Sequence, residues 1–296
     1  MTRRLTGVGE CMVELSQAPG GLYRQGYAGD VVNTLWYARK ALPDDWQVRF
    51  HTGLGIDLAS RGMEEFLNAA GIETDTVLRV PARRPGLYMI HLDGAERSFS
   101  YWRDTSAARR LASDEAQLAA GLADSDVIYF SGITLGILDA EDAERLLAAL
   151  DGRRRMGATV AFDPNIRPAL WSDSATMRAR LTRGADVADL ILPSFDDETA
   201  HFGDANPEAT ARRYATREDQ TVVVKNGAHD VLIWDGGAGR IVETPSVADP
   251  VDTTGAGDSF AGGFLAAHVT GFDVEAAVRA GQATAAHVIR HHGALV

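Results

Sequence analysis

Short apolar runs alternate with helix-forming stretches along most of this chain, and that alternation restricts the fold more than any single motif does. Val48–Gly53, Val127–Ser131, Thr159–Asp163, Leu190–Pro193 and Val222–Lys225 read as strands. Glu141–Leu150, Thr176–Arg183 and Pro207–Ala215 read as helices lying between them. Strands joined through helices are parallel, and a parallel sheet needs helices on both faces to bury it. The predicted class is therefore α/β, a doubly wound, mostly parallel sheet. Leu5–Leu15 reads as a first strand interrupted at Gly7-Val8-Gly9. Asp30 is the expected N-cap of a helix over Val31–Leu42, and Asp57 that of a helix running to Ala70 and stopping at Gly71. Phe272–Val296 reads as a last helix with a short tail. No repeat, low-complexity tract or linker divides the chain, so residues 1–296 are expected to form one domain.

One segment breaks the rhythm. Leu87–Leu92 and Arg97–Arg103 are strand-like runs around Asp93-Gly94, a hairpin turn signal, with no helix between them. They can pair with part of Met12–Tyr27 in a small separate sheet. By composition alone, an edge hairpin of the main sheet is the plainer reading.

The run Asp252-Thr253-Thr254-Gly255-Ala256-Gly257-Asp258, followed by Ser-Phe-Ala-Gly-Gly-Phe, carries the most chemistry. Gly255 and Gly257 allow a sharp turn and close approach of backbone amides to a ligand. The helix that follows offers unpaired N–H groups and a positive dipole end to an anion. A carboxylate there binds phosphate poorly. Asp258 makes sense as a base that takes a proton from a hydroxyl attacking a phosphate. The plain alternative is a glycine turn capped by Asp258; the flanking threonines and the Gly262-Gly263 pair favour the functional reading.

Other signals are weighed against it. Gly7-Val8-Gly9 is followed by Met12 where a dinucleotide fingerprint needs a third glycine, and by a strand-like segment where it needs a helix. A Walker-type phosphate loop is absent from the sequence, and no Cys/His cluster has zinc spacing. His291 and His292 read as surface residues. Asp163-Pro164-Asn165-Ile166-Arg167-Pro168 follows a strand, at the sheet edge where open α/β folds bind ligands; an ordinary turn is the competing reading. Tyr101 and Arg103 are two apart and share a strand face. An arginine on that face suits a carboxylate, against the plainer reading of cross-strand pairing.

The formal charge is −12, from 29 basic and 41 acidic residues. This argues against a general nucleic-acid or acidic-membrane binder. Any anion site must draw positive potential from helix N-termini and a few arginines. Cys11 is the only cysteine, so no intrachain disulfide forms and a reducing, cytoplasmic home is expected. Met1-Thr2-Arg3-Arg4 leads into a strand without a signal-peptide core, and no apolar run approaches the ~20 residues that span a bilayer.

The 252–264 run resembles the C-terminal signature of the ribokinase-like (PfkB) family of sugar and nucleoside kinases. The resemblance extends to Gly9-Glu10-Cys11-Met12-Val13-Glu14-Leu15, to Ala28-Gly29-Asp30-Val31-Val32-Asn33-Thr34, and to the 163–168 segment. Pro85-Gly86-Leu87-Tyr88 and Tyr101-Trp102-Arg103 look most like the branch acting on 2-keto-3-deoxygluconate. The resemblance implies a ribokinase-like fold with a small β lid drawn from about 12–28 and 78–104, and transfer of phosphate from ATP to the sugar acid's 6-hydroxyl. It implies Asp258 as base, with amides of Gly255, Ala256 and Gly257 on the phosphoryl oxygens. Gly29, Asp30 and Asn33 would contact sugar hydroxyls, and Tyr88, Tyr101, Arg103 and Arg167 the chain and its acid end, Arg167 also holding the transferred phosphoryl group. Asn165, Ser194, Lys225, Gly227 and Gln282 would serve the nucleotide. Asp197 and Glu198 would position Mg²⁺, and Asp252, Thr254 and Gly293 a monovalent cation such as K⁺. Ser-Phe-Asp-Asp-Glu at 194–198 stands where many relatives have Asn-x-x-Glu, and Ala28 where many have the first of two glycines. A homodimer or higher oligomer through the lid is expected. The alternatives are a fructose, ribose or nucleoside kinase of the same family, and a non-catalytic sugar sensor; intact Asp258 and its glycine turn argue against the sensor.

Overall fold

The computed structural model describes residues 3–93 and 96–296, with side chains at 92–93 and 96–97 left aside. Nine strands form the main sheet in the spatial order Ala238–Val242, Val231–Asp235, Thr221–Val224, Leu190–Ile191, Thr159–Asp163, Val127–Ser131, Arg3–Val8, Trp46–His51 and Ile72–Glu73. The last seven are parallel; the first two pair antiparallel at one edge. Helices cover both faces, so the central strands are buried throughout, as Val127–Ser131 is. Val31, Leu35, Phe264 and Val278 belong to the core on one side; Leu118, Leu146 and Leu181 belong to the core on the other. Strand order reverses between Arg3–Val8 and Val127–Ser131, a switch point that opens a crevice at the strands' C-terminal ends.

The alternation therefore predicts the sheet correctly, with bounds differing by a few residues. The 141–150 and 176–183 helices extend to Ala140–Arg155 and Ser174–Asp186, and the 207–215 helix ends one residue earlier, as Pro207–Tyr214. The edge pair Val231–Asp235 and Ala238–Val242, and helices Glu115–Leu122 and Phe195–Phe202, have no counterpart in the sequence reading. Among the described residues no helix is long and apolar enough to cross a membrane.

Two local expectations are corrected. Leu5–Leu15 is not one strand. The chain leaves the main sheet after Val8 and enters a second sheet at Met12, so the break lies at Gly9-Glu10-Cys11. Gly7 stays in the ladder, opposite Tyr129 and Phe50, and carries no side chain where Leu35 and Val31 fill the space one would need. Asp30 is not the N-cap of its helix but its first residue, in Asp30–Ala41; Gly29 takes the cap position. A Cβ on Gly29 would sit 2.2 Å from the Glu10 carbonyl oxygen, so no larger residue fits there. Asp57 does cap Leu58–Ala69, accepting from the amides of Ala59 at 3.0 Å and Ser60 at 3.2 Å.

The hairpin runs Gly86–Asp93 and Glu96–Trp102; of its predicted turn, Gly94 lies outside the described residues. It is not an edge of the main sheet. With Met12–Ala18 and Leu22–Ala28 it forms a separate four-stranded sheet. Alternation gives that sheet two different faces. Val13, Leu15, Tyr27 and Leu87 pack onto the main core, while Met12, Ala28, Tyr88 and Ile90 form a small apolar cluster of their own.

Helix Ala256–Val269 lies directly against Asp30–Ala41. A Cβ on Gly262 would be 2.5 Å from the Thr34 carbonyl oxygen, so the backbones touch because position 262 carries no side chain. This packing sets the N-termini of the two helices side by side.

Candidate active site

A cavity of about 540 Å³ lies between the small sheet and the C-terminal ends of the main strands. Its size suits a small molecule, for which pockets run from about 300 to 1,000 Å³. Met12, Tyr88, Phe99, Tyr101 and Arg103 line it from the small sheet. Glu10, Asp163, Asn165, Arg167, Ser194, Asp197 and Lys225 line it from segments that follow main-sheet strands. Gly29, Asp30 and Asn33 enter from one helix start, and Thr253 to Asp258 from the other.

The glycine turn has the expected form. Gly255 adopts φ +75°, where a side chain is disfavoured, and helix Ala256–Val269 begins immediately after it with no capping side chain. Its first-turn amides are thus not taken by a side chain, and with the dipole they favour an anion. Lys225 borders the same place. Its ammonium lies 3.5 Å from where a Cβ on Gly257 would be and pairs with the Asp163 carboxylate at 2.5 Å; both residues are buried.

Asp258 accepts a hydrogen bond from Asn33 Nδ2 at 2.8 Å. Burial pushes its carboxyl up to about 7, with the charges of Asp30 and Asp163 adding to the rise and Asn33 and Lys225 opposing it. Asp30 is raised too, chiefly by burial. It accepts from Asn165 Nδ2 at 3.1 Å, and the Asn165 amide donates to Asp163 at 3.0 Å. Asn165 has φ +33°, an uncommon conformation for a residue with a side chain. Asp30 and Asp258 thus each have their own asparagine partner.

On the side of the small sheet, Arg103 forms an ion pair with Glu10, which is only 1% exposed. The Arg103 guanidinium also sits 5.9 Å from the Tyr101 ring centroid, and Tyr101 lies 5.9 Å from the Tyr88 ring. The Tyr88 hydroxyl donates to Glu14. Arg167 is half exposed, donates to its own neighbour's carbonyl, and approaches Asp197 at 3.7 Å.

Most of the predicted site residues therefore converge on one cavity. Five do not line it: Glu198, Gly227, Gln282, Asp252 and Gly293. Glu198 is corrected as a metal candidate: it is fully buried on the other side of its helix, bound by Arg213 at 2.7 Å and the Tyr214 hydroxyl at 3.0 Å. Burial pushes its carboxyl up to about 7. Gln282 donates to the Glu243 carbonyl and Thr244 Oγ1, and Gly227 sits in a turn with φ +58°; neither lines the cavity. Asp252, off the cavity wall, joins Thr254, which lines it, to Gly293, accepting from the Thr254 amide at 3.0 Å and the Gly293 amide at 2.7 Å. His291 and His292 are exposed.

Glu10 and Asp163 line the cavity without a role predicted from the sequence. Asp163 carried a usable signal, as the last residue of a strand and the first of Asp-Pro-Asn. Glu10 carried none, because its partner Arg103 is 93 positions away.

Comparisons with known proteins agree with this geometry. The profile described as pfkB family carbohydrate kinase matches residues 3–296. A protein of Escherichia coli (strain K12) named 2-dehydro-3-deoxygluconokinase is 36% identical, covering 100% of this chain and 98% of its own. One of the same name from Dickeya dadantii (strain 3937) is 37% identical, with coverage of 100% and 97%. The crystal structure of a PfkB protein from Polaromonas sp. JS666 superposes with a TM-score of 0.82 at 26% identity, covering 98% of this chain and 96% of that one.

Proposed function

The chain belongs to the pfkB family of carbohydrate kinases, and we propose that it transfers the terminal phosphoryl group of ATP to the 6-hydroxyl of 2-keto-3-deoxygluconate. The observation that carries this reading is the meeting, in one cavity, of a base at a helix N-terminus with an arginine and two tyrosines on a separate small sheet. The relatives named 2-dehydro-3-deoxygluconokinase, at 36–37% identity over the whole chain, support the substrate.

In this reading Asp258 removes the proton from the attacking hydroxyl. Amides of Gly255, Ala256 and Gly257 receive charge developing on the phosphoryl oxygens. Lys225 adds a cation beside that cradle, and Arg167 holds the transferred group. Gly29 and Asp30 face the sugar hydroxyls, with Tyr88, Tyr101 and Arg103 along the chain and its acid end. Asn165 and Ser194 face the nucleotide side, with Gly227 and Gln282 farther out. Asp197 presents a cavity-facing carboxylate whose pKa burial has raised, a group suited to a cation. A magnesium ion bound with ATP neutralises charge on its phosphates. Asp252, Thr254 and Gly293 are the corresponding proposal for a potassium ion. Residues of the small sheet, about 12–28 and 78–104, act as a lid that excludes water as a competing acceptor.

A coupled assay of ADP release over sugar acids, neutral sugars and nucleosides tests the assignment. The expected result is kcat/KM highest for 2-keto-3-deoxygluconate. The second reading, a neutral-sugar kinase, draws on the Glu10–Arg103 pair, which leaves the lid arginine already neutralised; a higher kcat/KM on fructose would establish it.

The lid also leaves apolar groups uncovered. Leu22, Tyr23 and Trp102 are exposed and lie off the cavity wall that Phe99 and Tyr101 line, and exposed apolar groups of this kind mark contact surfaces. Two-fold pairing of lids would cover them. Light scattering at micromolar concentration should then report a dimer, and Leu22→Glu with Trp102→Glu should yield monomers. A monomeric parent protein, or a dimer indifferent to those charges, contradicts lid pairing.

A further inference from the structure

Asn33 stands where a sugar contact is expected, yet its side chain points its amide at the base. Nδ2 donates to Asp258 Oδ2 at 2.8 Å, and Oδ1 accepts from the Gly29 amide at 3.4 Å. Asn33 is 5% exposed. The neighbouring Thr34 hydroxyl lies within hydrogen-bonding distance of the Asp258 backbone carbonyl, at 3.2 Å, and of the Asp30 carbonyl, at 3.1 Å. The start of one helix is thus laced to the start of the other through one side-chain bond and one backbone bond, where Gly262 lets the helices touch.

We propose that Asn33 is a positioning residue for the base: it holds the Asp258 carboxylate in one orientation and ties that orientation to the sugar-facing turn at Gly29. The proposal rests on the kinase reading for its kinetic consequence, though not for its structural one. A carboxylate in a closed cavity rotates about its terminal torsion unless a donor holds it. A base must also present the correct oxygen to the hydroxyl it deprotonates. Asn33 engages Oδ2, which leaves Oδ1 as the oxygen for the substrate proton. The amide donor also favours the charged form, against a surrounding set that mostly opposes it. Asp30 and Asp163 repel a charge on Asp258, while Lys225 attracts it. The buried Tyr129 and the partly buried Tyr37 also feel that charge. Asn33 is the neutral donor in that set, so it assists the base without altering the charge of the cavity.

The test is the pH dependence of kcat in the parent protein, Asn33→Ala and the control Thr34→Val. Loss of Asn33 should move the acid limb of kcat upward by about one pH unit, whatever happens to KM. Thr34→Val removes the backbone link, together with the hydroxyl's contacts to the Asp30 carbonyl and the Tyr129 hydroxyl, but leaves the bond to the Asp258 carboxylate, and should leave the limb in place. A raised KM for the sugar with an unmoved limb would make Asn33 a sugar contact and overturn the proposal. An equal shift in Thr34→Val would also overturn it, by pointing to general loosening between the helices. Should Asn33→Ala fail to fold, Asn33→Ser carries the same measurement. A carbon-detected NMR titration of the Asp258 carboxyl in the same proteins needs no turnover. An upward shift there supports the proposal even if the substrate assignment fails, and no shift refutes it.

Discussion

Replacing Asp258 with asparagine should lower kcat by about 10²–10⁴-fold, the range expected when a general base is lost, with ATP affinity near that of the parent. The amide keeps the shape and the place at the helix start but cannot take a proton. The parent enzyme should lose rate as pH falls through the neutral range, because the folded carboxyl has been pushed up to about 7 and must be ionised to act. The same shift has a sign for stability. A folded pKa above the unfolded value means the folded state holds the proton more tightly. Stability from this group is therefore greatest at acid pH and is lost as pH rises from the ordinary carboxylate range toward 7. The asparagine variant should for that reason be at least as stable as the parent above neutrality, a case of activity held at the expense of stability. Single-turnover rates, nucleotide titration and thermal melts above neutral pH measure the three effects. A variant with near-parent kcat would remove Asp258 from the role of base.

Arg103→Leu should reduce kcat/KM for 2-keto-3-deoxygluconate by about 10- to 150-fold, the equivalent of a charge-assisted pair worth roughly 1.5–3 kcal/mol. A chain of charge −12 must attract a carboxylate by local means, and the cavity already holds Asp30, Asp163 and Asp258. The guanidinium spends Nη2 on Glu10. It has five N–H donors in all, so pairing with Glu10 orients it without exhausting it. Leucine alone would also strand the Glu10 carboxylate in a buried place, a penalty that has nothing to do with substrate. The measurement therefore includes Glu10→Gln/Arg103→Leu, in which that charge is gone. In both variants a neutral sugar should lose far less than the acid. Equal losses on the two substrates would assign Arg103 to lid structure and move acid recognition to Arg167 or elsewhere.

Much of this was legible in the residues because it is local. Alternating strand and helix implies crossovers, and crossovers imply a parallel sheet whose C-terminal edge binds ligands. Gly255-Ala256-Gly257-Asp258 specifies its own turn: one left-handed glycine, then a helix start with an acid in the first turn. Asp57 caps its helix by reaching amides two and three residues ahead. Each of these rests on interactions within a few positions of chain, which is the range over which residue identity acts directly.

What tertiary structure alone decided is which side chains meet. Glu10 finds Arg103, Lys225 finds Asp163 and Asn33 finds Asp258 across 93, 62 and 225 positions, distances at which the sequence carries no pairing signal. The acids at 197 and 198 show the reason most plainly. The sequence offers both to a metal, but neighbours on an α-helix point about 100° apart at 3.6 residues per turn, and here the two carboxylates leave the helix toward different surroundings. Arg213 and Tyr214, brought over by the Pro207–Tyr214 helix, bind Glu198 and turn it inward. Asp197 is left facing the site. The residue types that can do the chemistry were set by the sequence; the packing of one helix against the next set which of them is placed to do it.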